Sequence, residues 1–160
     1  TVGLEILDDV PDVDVVIVGI GGGGLASGVG AAIKSRKPNV RVVGVEPEGA
    51  AGISKSLVVG KPVHLDSVQS VADGLAAPFA GVHTLAYVQK YVDEVVLVAD
   101  EEIVEAMRLI IERCKVIAEP AAASTLAALL FGKIKVRPES TVVCVLSGGN
   151  ISHERLKSLL

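Results

Sequence analysis

Four consecutive glycines constrain this 160-residue chain more than any other feature: Gly21, Gly22, Gly23 and Gly24. An apolar segment typical of a buried strand (15–20) precedes them, and small and apolar residues typical of a helix (25–33) follow. Glycine lets the backbone reach positive φ and bring its N–H groups close to a ligand, because no Cβ intervenes. The first amides of a helix lack intrahelical partners and lie at its positive end. The sequence therefore predicts a strand, loop and helix that bind an anion such as phosphate.

The glycine run alone leaves several interpretations open. A P-loop is excluded, since no Gly-Lys-Ser/Thr sequence ends the run. A dinucleotide fingerprint fits loosely from Gly19 or Gly23, and Glu46 lies close to the position where such folds place the acidic residue that binds ribose. A tight turn without ligand is less favoured, because each unneeded glycine costs about 0.5–1 kcal/mol in chain entropy.

A second motif lies near the other end of the chain. The apolar segment 141–146 runs directly into Ser147, Gly148, Gly149 and Asn150. In open α/β sheets, ligands bind outside the carboxyl ends of the strands. Ser147 and the tetraglycine loop both follow strands, so we expect them to face one crevice.

Together the two motifs resemble the fold type II pyridoxal-phosphate enzymes, and Leu-Ser-Gly-Gly-Asn is most similar to their threonine dehydratase and serine racemase branch. The resemblance extends from Thr1 to about Asn150, and further stretches agree with it: 45–48, 71–76, 91–96, 99–103 and 117–122. It implies an α/β fold with an open, twisted parallel sheet and helices on both faces. This chain would form most of the large, cofactor-binding domain.

The resemblance also implies a cofactor site for pyridoxal 5′-phosphate. The tetraglycine loop and Leu25 would bind the 5′-phosphate, and a Cβ at Gly23 would occupy the position of that phosphate. Ser147 would bond the pyridine nitrogen, Gly74 would lie along the cofactor, and Glu119 would stand near the ring. For Gly74 a plain turn is the alternative, and for Glu119 a first-turn helix acid.

Two accessory sites follow from the same resemblance. Glu46 and Ala50 match the divalent-metal site of serine racemase, but Gly52 stands where that site has its second carboxylate, which removes one hard oxygen ligand. Asn150 and Lys115 match positions that bind a nucleotide effector there. For these two residues a capping Asn and a surface Lys are the favoured interpretations.

We assign no catalytic residue within this chain. In the family, the lysine that binds the cofactor lies in an N-terminal Ser-x-Lys-x-Arg-Gly-like motif, followed by a Ser-x-Gly-Asn-His-like loop, and neither sequence occurs here. We therefore expect residues 1–160 to be the C-terminal part of an enzyme whose lysine-bearing N-terminal half is either cleaved from it or a separate chain. The complete enzyme would be a homo-oligomer acting on an amino acid.

Composition agrees with a buried α/β core. Half of the residues are hydrophobic, and near-continuous apolar runs such as 15–18 and 142–146 are typical of strands buried on both faces of a parallel sheet. A net charge of −4 provides no basic patch for nucleic acid. No apolar run reaches the length of a membrane span, and no signal peptide is visible. We therefore expect a cytoplasmic protein that binds neither nucleic acid nor membrane.

Smaller features complete the predicted organisation. Cys144, within a strand, and Cys114, near a helix end, are expected to be reduced thiols. Asp100 is predicted to cap a helix over 101–116, and Pro120 to begin another helix that runs through Leu130. The last strand is predicted to end at Leu146, and the terminal residues 152–160 are predicted to be helical. The region from the 60s to about Tyr91 is predicted to be loop with short helices.

A neutral hydroxyl at Ser147 favours one reaction class. It cannot keep the pyridine nitrogen protonated as a carboxylate would, which suits β-elimination of water better than a long-lived carbanion. The resemblance thus implies dehydration of L-threonine or L-serine to a 2-oxo acid and ammonia. Serine racemase and threonine synthase are alternatives, although synthases usually have Thr at this position. A dinucleotide-dependent oxidoreductase and a non-catalytic ligand-binding subunit are alternatives from other classes.

Overall fold

A four-stranded parallel sheet in the order β3-β2-β1-β4 forms the centre of the protein. The computed structural model describes all of residues 1–160. The strands are β1 (Val15–Gly19), β2 (Arg41–Pro47), β3 (Glu94–Val98) and β4 (Val142–Cys144). The helices are α1 (Val2–Asp9), α2 (Gly24–Arg36), α3 (Gly52–Val59), α4 (Val82–Tyr91), α5 (Asp100–Leu109), α6 (Pro120–Leu130) and α7 (His153–Leu159).

Helices cover both faces of this sheet, as the predicted α/β fold requires. On one face Val16 and Val18 of β1 pack with apolar residues of α1, α2 and α4. On the other face Ile17 packs with α5 and α6, where alanines such as Ala122 and Ala127 let the helix approach closely. All five residues of β1 are buried, which explains why its sequence shows no polar alternation. The expected fold class is confirmed.

Helix α2 packs tightly against α4 through a glycine. A Cβ placed on Gly30 would lie 2.8 Å from the backbone oxygen of Tyr91, whereas a Cβ on Gly28 would meet nothing within 4 Å. The two positions lie in the same helix, two residues apart, and provide a matched comparison. The close approach at Gly30 fixes the distance between α2 and α4 at this point.

We expect Gly30→Ala to destabilise the protein by about 1–3 kcal/mol, because the backbone at Tyr91 must move to admit a methyl group. Gly28→Ala should be neutral or stabilising by up to about 1 kcal/mol, since alanine favours a helix over glycine. Urea unfolding of both variants measures the difference. Equal stability of the two variants would contradict this account of the α2–α4 contact.

The observed helix α5 differs at both ends from the helix predicted for residues 101–116. Ala99, not Asp100, is the residue before the first turn, and its N–H bonds the Glu102 carboxylate at 2.9 Å. Asp100 instead accepts hydrogen bonds from the Ser70 hydroxyl and the Val71 N–H, at 2.6 and 3.0 Å. It therefore anchors a distant loop, which local sequence cannot reveal. After Leu109 the helix loosens into a π-helical turn, Ile110–Cys114.

Strand β4 is shorter than predicted. It ends at Cys144 rather than Leu146, although Val145 still donates to the Ile17 oxygen at 2.9 Å. Beyond that point the chain leaves the sheet, and the Gly148 oxygen accepts a hydrogen bond from the N–H of Glu119 at 3.1 Å. This departure brings the segment after β4 next to the start of α6.

The remaining local predictions are confirmed, except that the region predicted as loop with short helices contains a longer helix, α4. Helix α6 begins at Pro120 and ends at Leu130, and the Ser152 hydroxyl accepts from the Arg155 N–H at the start of the terminal helix. The region predicted as loop with short helices contains a short 3₁₀ turn (Asp73–Leu75) and all of α4. None of the helices combines the length and the apolar character needed to cross a membrane.

Both cysteines are free, but they differ in environment. Cys114 is exposed, whereas burial raises the pKa of the Cys144 thiol to about 11. At pH 8 only about 0.1% of a thiol with that pKa is ionised, and the thiolate is the reactive form. We expect iodoacetamide to alkylate Cys114 first and Cys144 much more slowly. A Cys114→Ser control that is labelled as fast as the parent would contradict this.

Candidate functional site

The loop between β1 and α2 carries a row of unused backbone donors. Gly23 immediately precedes α2 with a φ of 88°, and no side chain caps the helix. The first hydrogen bond of the helix runs from the Ser27 N–H to the Gly23 oxygen, at 2.9 Å. No N–H group in residues 21–26 donates to an acceptor within the chain. These donors lie at the positive end of α2, an arrangement that favours an anion.

The four glycines of this loop differ in their surroundings, so glycine is needed there for more than one reason. A Cβ on Gly22 or Gly24 would meet no protein atom within 4 Å, so these two residues border open space. A Cβ on Gly21 would press against the backbone of Leu75 at 3.2 Å. The expectation that a Cβ at Gly23 would occupy the phosphate position was wrong: it would point toward the Cβ of Thr84, 3.0 Å away. Gly23 is required by its positive φ and this contact.

A cavity of about 280 Å³ opens beside the loop. All eight residues predicted to contact the cofactor line it: Gly21, Gly22, Gly23, Gly24, Leu25, Gly74, Glu119 and Ser147. Sequence reasoning did not identify the other lining residues, Gly19, Leu75 and Ala121. Gly19 ends β1 and could have been inferred from its place before the loop, but Leu75 and Ala121 reach the cavity only through tertiary packing. The structure thus brings residues 126 positions apart in sequence (21 and 147) to one site.

Glu119 and Ser147 place polar groups in this cavity without partners in the chain. Glu119 precedes α6, but its carboxylate caps no amide of that helix. Instead, its Oε1 lies close to two glycines: it is 3.1 Å from a Cβ built on Gly74 and would overlap a Cβ built on Gly148. Side chains at those positions would displace the carboxylate. The cavity therefore combines backbone donors on one side with a free hydroxyl and a free carboxylate.

Glu46 lies away from this cavity and is fully buried. Its Oε1 accepts from the Ile53 N–H at 2.7 Å, and its Oε2 accepts from the Ser54 N–H and hydroxyl at 2.8 and 2.6 Å. Loss of water raises the pKa of this carboxyl above its ordinary value, although the three hydrogen bonds oppose that shift. A buried, satisfied carboxylate is not available to a ribose, which disfavours the dinucleotide interpretation.

The predicted metal ligands do not fit a divalent cation in this arrangement. Both oxygens of Glu46 face hydrogen-bond donors, and Gly52 offers no side chain. No cluster of three or more His, Cys, Asp or Glu side chains is arranged to hold a metal ion. Ala50 is buried at the end of a short 3₁₀ turn. The metal site stays a prediction without a donor set to support it.

The structure does not bring the two predicted effector residues to one cavity. Asn150 lines a second cavity of about 260 Å³ with Glu119 and Arg155, and Lys115 is not part of its wall. Lys115 has a φ of 58° and donates from Nζ to the Glu112 oxygen of its own turn at 2.7 Å. This agrees with the interpretation of Lys115 as a surface residue.

Comparison with known families decides what kind of protein carries this site. Residues 1–148 match the model of the family described as pyridoxal-phosphate dependent enzyme. The chain belongs to this family. The loop with free donors, the cavity and the two motifs at strand ends are therefore parts of a pyridoxal-phosphate dependent fold. Pyridoxal phosphate is the cofactor of this family.

Two curated relatives of this chain have names that state a reaction. The chain is 46% identical over 151 residues to the L-threonine ammonia-lyase of Thermotoga maritima, covering 94% of this chain and 37% of that protein. It is 39% identical over 162 residues to the L-threonine dehydratase catabolic TdcB of Staphylococcus aureus, covering 100% and 47%. The chain thus spans less than half the length of these relatives.

Solved structures show the same relationship. The processed form of threonine deaminase isoform 2 from Solanum lycopersicum superposes with a TM-score of 0.92 at 35% identity, covering 99% of this chain and 47% of that one. Maize serine racemase gives a TM-score of 0.90 at 41% identity, covering 98% and 49%. The expected resemblance to this branch of the pyridoxal-phosphate dependent enzymes is confirmed.

Proposed function

We propose that this chain is the part of a pyridoxal-phosphate dependent L-threonine or L-serine ammonia-lyase that binds the phosphate and ring of the cofactor. The observation that carries the proposal is the row of unpaired N–H groups in residues 21–26, which opens into the cavity with Ser147 and Glu119. The names of the relatives supply the reaction class. Glycine at positions 22 and 24 leaves the space that a phosphate needs.

Each group of the chain has a defined task in this proposal. The backbone donors of the tetraglycine loop and Leu25 bind the phosphate dianion, and the positive end of α2 stabilises it without an arginine. The Ser147 hydroxyl holds the ring nitrogen by a hydrogen bond and leaves it without a full positive charge. The bound cofactor withdraws electrons from Cα of the amino acid, so that the α-proton can leave.

Glu119 and Gly74 orient the ring. The carboxylate stands in the cavity between Gly74 and Gly148, where it can accept a hydrogen bond from a polar substituent of the ring. Gly74 lets the backbone approach the cofactor without a side chain. These two residues position the cofactor and exclude water from one side of it.

The lysine that binds the cofactor is supplied from outside residues 1–160 in this proposal. No lysine is among the residues that line the cavity. We propose that an N-terminal half, as a separate chain, contributes this lysine and the loop that binds the substrate carboxylate. The assembled enzyme would be a cytoplasmic homo-oligomer.

Serine racemase is the second candidate, because maize serine racemase is among the structures that superpose well. Both activities share the phosphate and ring contacts described here. The names of the curated relatives, L-threonine ammonia-lyase and L-threonine dehydratase, favour elimination as the first candidate. A non-catalytic subunit would share the cavity but release no product.

Product analysis of the assembled enzyme tests the proposed reaction. With L-threonine and pyridoxal phosphate we expect equal amounts of ammonia and 2-oxobutanoate, and with L-serine ammonia and pyruvate. The control is the same protein stripped of cofactor, which should release neither product. Formation of D-serine from L-serine without ammonia would favour the racemase, and no turnover of either amino acid would contradict the proposed function.

A further inference from the structure

Glu46 connects the central sheet to helix α3. It lies one residue before the end of β2, and its three hydrogen bonds reach only Ile53 and Ser54. These are the second and third residues of α3, whose N–H groups have no acceptor inside the helix. Ala51, the residue before α3, makes no side-chain hydrogen bond that caps the helix. Glu46 therefore supplies the cap from a neighbouring strand.

Helix α3 lies beneath the phosphate-binding loop. Ile53 is fully buried, and its Cδ1 lies 3.5 Å from the Cβ position of Gly23. Gly23 immediately precedes α2 and sets the direction of the unpaired N–H groups. The Glu46 carboxylate thus holds the backbone of Ile53, whose side chain lies next to Gly23 of the loop. A shift of α3 would change the support under Gly23.

The same contacts leave no role for a divalent cation at Glu46. Three donors point at its carboxylate from the positive end of α3, and a cation placed there would face that positive end. Hard cations require several oxygen ligands, whereas Gly52 lacks a side chain. The negative charge of the carboxylate is already compensated by the helix.

We propose that Glu46 is a positioning residue that holds α3 under the tetraglycine loop, and that it does so in place of a divalent cation. Its partners are Ser54 and the backbone of Ile53, and its effect on the cofactor is transmitted through Gly23. The proposal relies on the proposed function only for its cofactor readout.

A chelator comparison tests the cation half of the proposal. The thermal midpoint of the assembled enzyme is measured in EDTA and then with Mg²⁺, Ca²⁺ or Mn²⁺. We expect the same midpoint in all four conditions. A midpoint that falls in EDTA and is restored by one of these cations would overturn the proposal. This measurement needs no bound cofactor, so it remains decisive if the enzyme retains no pyridoxal phosphate, an outcome that would contradict only the proposed function.

A matched pair of serine variants tests the positioning half. Ser54→Ala removes one donor to Glu46 and should raise the Kd for pyridoxal phosphate roughly 3- to 10-fold, as expected for one lost hydrogen bond. None of the three cations should restore the affinity. Ser56→Ala is the control: this buried serine of α3 donates to the Gly52 oxygen at 2.7 Å, accepts from the Val63 N–H at 3.0 Å, and makes no hydrogen bond to Glu46.

The two variants separate positioning from simple stability. Ser56→Ala should lower the thermal midpoint but leave the Kd unchanged, because Glu46 still holds Ile53 and Ser54. Ser54→Ala should change the Kd even at temperatures where both variants are fully folded. An unchanged Kd in Ser54→Ala, or an equal rise in both variants, would overturn the assignment of Glu46 as a positioning residue.

Discussion

Gly24→Ala is expected to weaken binding of pyridoxal phosphate by roughly 10- to 100-fold, the cost of one or two lost charge-assisted hydrogen bonds. The methyl group would meet no protein atom within 4 Å, so the fold has room for it. It would instead project into the space beside the unpaired N–H groups, where the phosphate is proposed to lie. Equilibrium dialysis or the absorbance of the bound cofactor measures the affinity of the assembled enzyme.

Gly28→Ala is the matched control for Gly24→Ala. It lies one helical turn further along α2 and also has an open Cβ position, but it does not line the cofactor cavity. Both changes replace glycine with alanine in the same helix, so both should preserve stability. Equal cofactor affinity in the two variants would contradict the proposed phosphate site. Gly22→Ala should behave like Gly24→Ala, because its Cβ position is also open.

Ser147→Ala is expected to lower the rate of ammonia release by roughly 10- to 100-fold, if one hydrogen bond worth about 1–3 kcal/mol is lost at the reacting ring. The cofactor should stay bound, because its phosphate is held by the opposite wall of the cavity. Ser147→Asp should raise the proton affinity of the ring nitrogen and shift the reaction away from elimination. The rate and the product ratio with L-serine are measured for both variants.

A suitable comparison for Ser147→Ala is Ser152→Ala, five residues further along the chain. The Ser152 hydroxyl accepts only from the Arg155 N–H at the start of α7 and does not line the cofactor cavity. It should leave both the rate and the cofactor affinity unchanged. If Ser147→Ala and Ser147→Asp both react like the parent enzyme, Ser147 is only a residue at a strand end.

The sequence predicted the parts of the site that depend on local chain order. An apolar strand followed by glycines and a helix specifies where β1 ends and α2 begins, and parallel strands bring their carboxyl ends to one edge. That logic correctly placed Ser147 beside the tetraglycine loop, although Gly21 and Ser147 are 126 positions apart in the sequence. Resemblance to a family added Gly74 and Glu119, which no periodicity marks.

The errors arose where tertiary contacts overrule local preference. Asp100 is a good capping residue in isolation, but its carboxylate bonds Ser70 and Val71 across the structure. The expectation for Gly23 considered only the ligand side of the loop and missed Thr84 beneath it. The metal ligand that the resemblance implies at Glu46 stays a prediction, and the partners that the structure shows for this carboxylate come from α3. In each case the deciding neighbour lies in a different element of the fold.

The central claim is that this chain binds the cofactor phosphate while the lysine comes from elsewhere. Borohydride reduction of the assembled enzyme with pyridoxal phosphate, followed by peptide mapping, tests it most directly. We predict a phosphopyridoxyl label on a lysine outside residues 1–160. A label on any of the nine lysines of this chain would contradict the account: Lys34, Lys37, Lys55, Lys61, Lys90, Lys115, Lys133, Lys135 or Lys157.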